Sequence, residues 1–272
     1  MEGPVRAAVE ALGREVTGCQ AMPGGSGFPT WRVSTPEGCL AVKLYPASLA
    51  WVAYGMARLA TTLRASEFPA PGVVAVVNTL RDHVALVQEW LPGVTCGEAL
   101  RREPERAWEY GAQFGRLQAR LHALPVPPEV AGEVPRLDDL PPPPHPVWLH
   151  LDYHPLNVLV EDGQVSAVLD WENVRLGDAR ADVARTLSLL SVEPGLWRAE
   201  RDVRETVGVF RRGYLAGYAG EWGAVRDLAP FLAWAGEFMA RDQGGRFGDA
   251  ELGHLRRWAR FWRSRSSADL PS

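Results

Sequence analysis

The chain has 272 residues, of which 46% are apolar and 23% charged, and its formal net charge is −4. This composition can bury a core of its own, so disorder of the whole chain is excluded. The negative net charge does not suit a general nucleic-acid-binding protein. The three cysteines, Cys19, Cys39 and Cys96, are widely spaced and predict neither a disulfide framework nor a paired-cysteine metal site.

The N-terminal segment carries acidic residues and has no apolar targeting region. The most apolar stretch without charge, 44–57, is shorter than the ~20 residues that a membrane-spanning helix needs. We therefore expect a cytoplasmic protein that does not associate with membranes, built as one large domain or as two lobes.

The first 90 residues predict a small sheet with one inserted helix. Residues 4–14 have helical spacing, and 47–66 change to a helical pattern between the third and fourth strands. The segments typical of strands are 16–22, 28–34, 39–45, 73–78 and 84–90. Glycine- and proline-containing turns between them favour antiparallel neighbours, so we expect a five-stranded antiparallel sheet.

The residues after 90 predict a mainly helical region, and Leu91-Pro92-Gly93 marks the expected boundary. A helix that begins near Pro104 has one apolar face, formed by Tyr110, Phe114, Leu117, Leu121 and Leu124. Further helices are predicted at 180–191, 196–220, 226–243 and 250–263. The fold class is therefore α+β, with an N-terminal sheet lobe at 1–90 and a helical lobe at 91–272.

One basic residue differs from all the others. Of the 29 basic residues, 28 are arginine and only Lys43 is lysine. A compositional bias towards arginine explains the excess but not the exception. Because lysine presents a compact ammonium group where arginine presents a planar fork, a position that places a point charge on a phosphate resists this exchange. Lys43 is therefore a candidate phosphate ligand, while a lone lysine on a strand is more often a solvated residue.

The segment 150–157, His-Leu-Asp-Tyr-His-Pro-Leu-Asn, is a polar loop between apolar strands, and the hairpin after it ends on Asp170. This order predicts that Asp152, Asn157 and Asp170 meet at the mouth of one small hairpin. Carboxylate and amide oxygens suit Mg²⁺, which fills its remaining positions with water and phosphate oxygens. A carboxylate that does not bind the metal can instead accept a proton from a substrate hydroxyl.

This spacing, His-x-Asp-x-x-x-x-Asn followed by an aspartate, resembles the protein-kinase-like phosphotransferases. In finer detail it resembles the aminoglycoside phosphotransferase and choline-kinase-like family. The matching segments are Ala-Val-Lys at 41–43, Gln-Glu-Trp-Leu at 88–91, the loop at 150–157, Asp-Trp-Glu at 170–172, Gly-Asp at 177–178 and Asp-Val-Ala at 182–184. The resemblance covers most of the chain and implies a protein-kinase-like two-lobed fold, with nucleotide binding at 1–90 and catalysis and substrate binding at 91–272.

The resemblance also implies an activity and a role for each matching residue. It implies a Mg²⁺-dependent phosphotransferase that moves the γ-phosphoryl group of ATP or GTP to a hydroxyl of a small molecule. Asp152 would orient and deprotonate that hydroxyl, and Asn157 and Asp170 would hold Mg²⁺. Lys43 would contact the α- and β-phosphates.

The same resemblance assigns the remaining nucleotide contacts to the backbone. The backbone around Gly25, Ser26 and Gly27 would cover the phosphates, and the backbone of Glu89 and Leu91 would meet the purine. This glycine turn is by itself a weak signal, since it is neither a complete Gly-x-Gly-x-x-Gly nor a P-loop. We expect His150 to fix the loop, and Asp178 either to bond the backbone of this loop or to cap the next helix.

The chain departs from the family pattern at two places. The family lysine pairs with a glutamate on the following helix, but no carboxylate lies between Glu37 and Glu67, and Met56 stands at the expected place. This ion pair is therefore missing or supplied from elsewhere. Leu151 replaces the glycine of this branch and the arginine of protein kinases, so regulation of an activation loop through that arginine has no basis.

Two alternatives to an active phosphotransferase remain open. A catalytically impaired kinase-like protein that binds a nucleotide or metabolite would explain the missing glutamate. A metal-dependent hydrolase built from His150, Asp152, His154 and Asp170 would leave Lys43 without a role. The acceptor also remains open among an aminoglycoside-like antibiotic, a sugar and an amino alcohol, because residues 193–272 hold 11 acidic residues and 13 arginines and show no acidic excess.

Overall fold

A computed structural model describes residues 2–22, 28–79, 82–242, 245 and 247–266. The chain divides into two compact units. One contains Met1–Pro92 together with Ala167–Glu172, and the other contains Gly93–Ser166 and Asn173–Ser272. The boundary predicted from the sequence lies two residues earlier, at 90, and that prediction places all of the later residues in the second lobe.

The returning segment Ala167–Glu172 belongs with the first unit because its backbone and its tryptophan both contact that unit. The amide of Val168 donates to the carbonyl oxygen of Pro69 at 2.9 Å. The ring of Trp171 meets that of Phe68 edge-on, with centroids 5.7 Å apart. Asp170 is therefore part of the first unit.

The first unit contains a five-stranded antiparallel sheet with two helices, α1 (Glu2–Glu10) and α2 (Ala50–Ala65). The strands are β1 (Gly18–Ala21), β2 (Thr30–Thr35), β3 (Gly38–Pro46), β4 (Val73–Thr79) and β5 (His83–Glu89). Their spatial order is β1-β2-β3-β5-β4, and every neighbouring pair is antiparallel. The five-stranded antiparallel sheet with an inserted helix was predicted and is confirmed.

The central strand β3 presents different residues to the two faces of the sheet. Leu40 and Val42 pack in an apolar cluster with Val9 of α1. Because successive side chains of a strand point to opposite faces, Lys43 and Tyr45 share the other face. The apolar cluster around Tyr45 includes residues of α2.

The second unit is mainly helical. Its helices are α3 (Cys96–Arg102), α4 (Ala107–Ala123), α5 (Pro128–Ala131), α6 (Ala179–Val192), α7 (Pro194–Arg198), α8 (Arg201–Trp222), α9 (Ala229–Asp242) and α10 (Asp249–Ser266). The single helix predicted at 196–220 is instead two helices, α7 and α8. The side chain of Glu193 accepts a hydrogen bond from the amide of Leu196 and caps the short α7, and α8 begins only at Arg201.

Helices α4 and α8 approach each other closely through glycines. A Cβ atom on Gly115 would overlap the backbone oxygen of Tyr214, and one on Gly217 would overlap the backbone of Ala112. Only glycine permits this distance between the two backbones. The close packing brings Tyr214 and Tyr218 of α8 against the C-terminal half of α4.

Short strands border the polar loop of the second unit. Strands β6 (Val94–Thr95), β8 (Val158–Glu161) and β9 (Gln164–Val168) form one small sheet, and the last two residues of β9 begin the returning segment. Strand β7 (Val147–Leu149) pairs with β10 (Arg175–Gly177). The loop at 150–157 connects β7 to β8. No helix in the described part of the chain is long and apolar enough to cross a bilayer.

Candidate active site

The ammonium group of Lys43 lies between two carboxylates of the returning segment, all within the first unit. Lys43 Nζ is 2.9 Å from Asp170 Oδ1 and 3.0 Å from Glu172 Oε1. The hydroxyl of Tyr45 donates to the same Glu172 oxygen at 2.6 Å. These four residues, Lys43, Tyr45, Asp170 and Glu172, form what we call the lysine cluster.

Lys43 is charged although it is largely buried, with 14% of its side chain exposed. Burial works to lower the pKa of Lys43, but the charges of Asp170 and Glu172 outweigh it and raise the pKa above its usual value. Burial and the neighbouring Glu172 likewise raise the pKa of Tyr45, so its hydroxyl remains a hydrogen-bond donor. The cluster therefore keeps a charged ammonium group on Lys43 and a neutral phenol on Tyr45 at neutral pH.

Two members of this cluster, Tyr45 and Glu172, were not predicted as site residues from the sequence. The sequence feature that points to a further partner of Lys43 is the absence of a carboxylate on α2, where Met56 packs in the apolar cluster around Tyr45. That absence implied a missing or relocated partner for Lys43, and the structure shows Glu172 in contact with it. Glu172 stands two residues after Asp170 in the same Asp-Trp-Glu motif.

In the second unit, the loop at 150–157 brings Asp152, His154 and Asn157 together. The side-chain amide of Asn157 donates to the backbone oxygen of Asp152 at 3.0 Å and to its Oδ2 at 3.1 Å. The imidazole Nε2 of His154 lies 3.5 Å from the same carboxylate oxygen. The amide of Asp152 donates to Nδ1 of His150 at 3.2 Å, so His150 fixes the loop as expected.

The carboxyl group of Asp152 is ionised at neutral pH. Burial works to raise its pKa, but the contact with His154 and the charges of His150 and Arg185 outweigh it and lower the pKa to about 2. His150 is completely buried, and its Nδ1 is occupied by this loop bond. That arrangement gives no support to the hydrolase alternative, which needs His150 as a metal ligand.

A buried aspartate, Asp182, holds the loop from beneath. Its oxygens accept hydrogen bonds from the amides of His150 at 3.0 Å and Leu151 at 2.6 Å. The side chains of Gln118 and His122 on α4 each contact Asp182 Oδ2 at 3.0 Å. Burial works to raise the pKa of Asp182, but the hydrogen bond from His122 and the charge of His150 outweigh it and lower the pKa. We call this set the aspartate network.

Tyrosines of α8 extend the aspartate network and lie in the positions that the glycine packing sets. Tyr218 Oη is 2.6 Å from Nδ1 of His122, and Tyr214 donates to the side-chain oxygen of Gln118 at 2.6 Å. The network fixes Leu151 with φ of +61°, a left-handed conformation that strains a residue with a Cβ atom. The hydrogen bonds to Asp182 therefore stabilise a strained backbone position immediately before Asp152.

Of the two roles expected for Asp178, the structure shows that of the helix cap. Asp178 accepts from the amide of Arg180 at 2.9 Å at the start of α6 and pairs with the Arg180 side chain. The bonds to the loop backbone come from Asp182, one turn further along the same helix.

Not all of the predicted nucleotide contacts can be placed. Gly25, Ser26 and Gly27 lie outside the described residues. Glu89 is the last residue of β5, where its amide donates to the carbonyl oxygen of Gly72 at 2.8 Å, and Leu91 follows it in the first unit. A purine contact at Glu89 would therefore use its carbonyl oxygen rather than its amide.

The chain belongs to the phosphotransferase enzyme family, whose sequence model matches residues 18–135 and 129–228. Its class is therefore that of an enzyme that transfers a phosphoryl group, and the resemblance inferred from the motifs is confirmed. No curated protein matches the chain.

Solved structures of phosphotransferases share the fold over nearly the whole chain. A thermostable mutant of aminoglycoside phosphotransferase APH(4)-Ia is 15% identical and has a TM-score of 0.67, with 99% of this chain and 100% of that chain covered. A protein from Haemophilus somnus 129PT, assigned as a fructosamine-3-kinase, is 13% identical with a TM-score of 0.65 and coverage of 96% and 97%. These similarities confirm the predicted protein-kinase-like fold.

Proposed function

We propose that this chain is a Mg²⁺-dependent phosphotransferase that moves the γ-phosphoryl group of ATP to a hydroxyl of a small molecule, with Asp152 as the catalytic base. The observation that carries the proposal is the position of the Asp152 carboxylate, which Asn157 and His154 contact on a loop that Asp182 fixes. Phosphoryl transfer depends mainly on positioning and on charge stabilisation, and a rigid loop of this kind supplies positioning.

The low pKa of Asp152 defines how it would act as a base. A carboxylate with a pKa of about 2 cannot remove the proton from a free alcohol before reaction. It can accept a hydrogen bond from the acceptor hydroxyl and point the oxygen at the γ-phosphorus. As the new P–O bond forms, the hydroxyl becomes acidic, its proton moves to Asp152, and ADP leaves.

The donor chemistry of the remaining residues fits a magnesium nucleotide. The carboxylate of Asp170 and the amide oxygen of Asn157 are hard ligands, and the Asn157 nitrogen already faces Asp152, which directs its oxygen the other way. When bound, Mg²⁺ would neutralise phosphate charge. Lys43 would contact the α- and β-phosphates with an ammonium group that its neighbours keep protonated.

The choice of donor and acceptor is supported by what similar proteins bind. A structure of a thermostable mutant of APH(4)-Ia, 13% identical over 98% of this chain with a TM-score of 0.67, is a ternary complex with AMP-PNP and hygromycin B. That nucleotide supports ATP as the donor. An aminoglycoside-like antibiotic, a sugar and an amino alcohol are the acceptor classes to test, and the similarity to the protein assigned as a fructosamine-3-kinase supports including fructosamine among the sugars.

The first experiment is thermal unfolding of the purified protein with ATP, GTP or ADP, each with and without Mg²⁺. A ligand that binds the native state raises the unfolding midpoint by mass action, so we expect a Mg²⁺-dependent rise with ATP that exceeds the rise with GTP. A midpoint that no nucleotide changes would contradict the proposal. A rise without transfer to any acceptor would favour the impaired, binding-only alternative.

The base is tested by Asp152→Asn, with Asp162→Asn as the matched control in the exposed turn before β9. General-base catalysis contributes roughly 10²–10⁴-fold, so phosphoryl transfer in Asp152→Asn should fall by that factor while the ATP-dependent rise in midpoint remains. The control should transfer at the wild-type rate. Loss of nucleotide binding in Asp152→Asn would instead identify Asp152 as a metal ligand.

A further inference from the structure

The nucleotide lysine of this chain lacks its usual helical partner. Helix α2 contains no acidic residue, and Met56, at the position expected for a glutamate, packs against the apolar cluster around Tyr45. An ammonium group as buried as that of Lys43 needs an anionic partner to remain charged and fixed. The partner must therefore come from another element.

Glu172 supplies a carboxylate at this position, held by two donors of one strand. Its Oε1 lies 3.0 Å from Lys43 Nζ and 2.6 Å from Tyr45 Oη. Lys43 and Tyr45 are two residues apart on β3 and so share a face of the sheet. Tyr45 is completely buried, and its ring contacts Phe28 with centroids 4.7 Å apart, so the hydroxyl that orients Glu172 has little freedom to move.

Asp170, the other carboxylate of the lysine cluster, cannot do the same task throughout a reaction. It also contacts Lys43 Nζ, at 2.9 Å, but under the proposed function its oxygens face Mg²⁺ and phosphate charge when the nucleotide is bound. Of the two carboxylates that contact Lys43 in the described part of the chain, Glu172 then remains to keep it in place. The Tyr45 hydroxyl donates to Glu172 at 2.6 Å, which orients this carboxylate from the side of β3.

We propose that Glu172, oriented by the Tyr45 hydroxyl, is the positioning residue that holds Lys43 on the nucleotide phosphates in place of a glutamate on helix α2. The inference rests on the proposed function, because it assigns Lys43 to the phosphates. It explains how an active site can lack a helical glutamate. The alternative of a catalytically impaired, binding-only protein was based on the missing helical glutamate and therefore loses its main support.

The test measures ADP and ATP binding to Glu172→Gln by calorimetry, once in chelator and once with Mg²⁺, beside the turnover of both proteins. Loss of one charge-assisted hydrogen bond predicts roughly 10-fold weaker binding in both conditions. Tyr45→Phe should cause a smaller loss of the same kind. The matched control is Glu161→Gln, an exposed residue at the end of β8, which should bind as the wild type does.

A second variant moves the carboxylate to the position where the family has it. Adding Met56→Glu to Glu172→Gln should restore most of the lost nucleotide affinity, which a purely structural role of Glu172 would not predict. If this double variant does not fold, the two single variants test the inference. A loss of nucleotide affinity that is larger in Glu172→Gln than in Tyr45→Phe supports it.

Two results would overturn the inference. One is unchanged affinity in Glu172→Gln. The other is a loss confined to the Mg²⁺ condition, since that would mean that Glu172 acts on the metal. Failure of the proposed function itself differs from both, because the wild-type protein would then bind no nucleotide in either condition.

Discussion

The lysine cluster of the first unit and the aspartate network of the second unit are both built around carboxylates, but they differ in burial and in their partners. Every charged group of the lysine cluster is partly exposed. Asp182, in contrast, is completely buried and accepts from four donors. The first arrangement can exchange partners when a ligand binds, whereas the second has its hydrogen-bonding capacity filled by the protein and acts as a scaffold.

The largest effect on stability should come from removing the scaffold carboxylate. Asp182→Ala leaves the amides of His150 and Leu151 and the side chain of His122 without an acceptor in a buried place. Breaking a buried ionic network typically costs roughly 3–5 kcal/mol, and we expect that loss in the free energy of unfolding measured with urea. Transfer should also fall, because the strained conformation of Leu151 would relax and move Asp152.

Asp182→Asn distinguishes the carboxylate's charge from its shape at the same position. It keeps the side-chain volume, so we expect it to be less destabilising than Asp182→Ala. Wild-type stability and turnover in Asp182→Ala would contradict the scaffold role. The lysine cluster and the aspartate network would then differ only in how exposed their carboxylates are.

The same carboxylate should make stability depend on acid pH. The folded protein lowers the pKa of Asp182 below its unfolded value, so its contribution is complete above the unfolded pKa of about 4 and is lost as the pH falls through the folded pKa. We expect the free energy of unfolding to decline below about pH 4 in the wild type. In Asp182→Asn this decline should be shallower, and equal slopes for the two proteins would assign acid sensitivity to other carboxylates.

A smaller effect is expected from Lys43→Arg, which keeps the charge of the lysine cluster and changes its shape. A planar guanidinium cannot replace an ammonium between Asp170 and Glu172 without moving one of them. Transfer should fall by roughly 10-fold, as for the loss of one charge-assisted hydrogen bond. The reverse exchange Arg6→Lys on the surface of α1 is the control, and wild-type transfer by Lys43→Arg would make the single lysine an accident of composition.

The sequence predicted what depends on local pattern and missed what depends on distant contacts. Strand alternation and turn residues predicted the five strands. The spacing within 150–157 predicted that Asp152 and Asn157 lie close together, because a short loop keeps them adjacent. Glu172 lies 129 residues from Lys43, and no local pattern marks such a contact. The kinase-like fold itself came from the motif resemblance rather than from periodicity.

Asp178 and Asp182 show the same limit within one helix. Both lie near the start of α6, and the residue preceding a helix is recognisable from the sequence as a cap. Asp182 has no such local signature. Its role arises because β7, α4 and α8 bring the loop amides, His122 and Gln118 around it. The close contact of α4 and α8 at their glycines is likewise visible only in the structure.

The smallest effect is expected from a substitution at Asp178, which tests whether Asp178 and Asp182 differ in function as their contacts indicate. Asp178→Ala removes a helix cap and an ion pair with the partly exposed Arg180, so it should lower the free energy of unfolding by about 1 kcal/mol and leave turnover within twofold. Asp178→Asn should recover most of the stability, because asparagine also caps helices. A fall in turnover as large as that of Asp182→Ala would show that the cap also holds the catalytic loop, and the scaffold would then extend over both aspartates of α6.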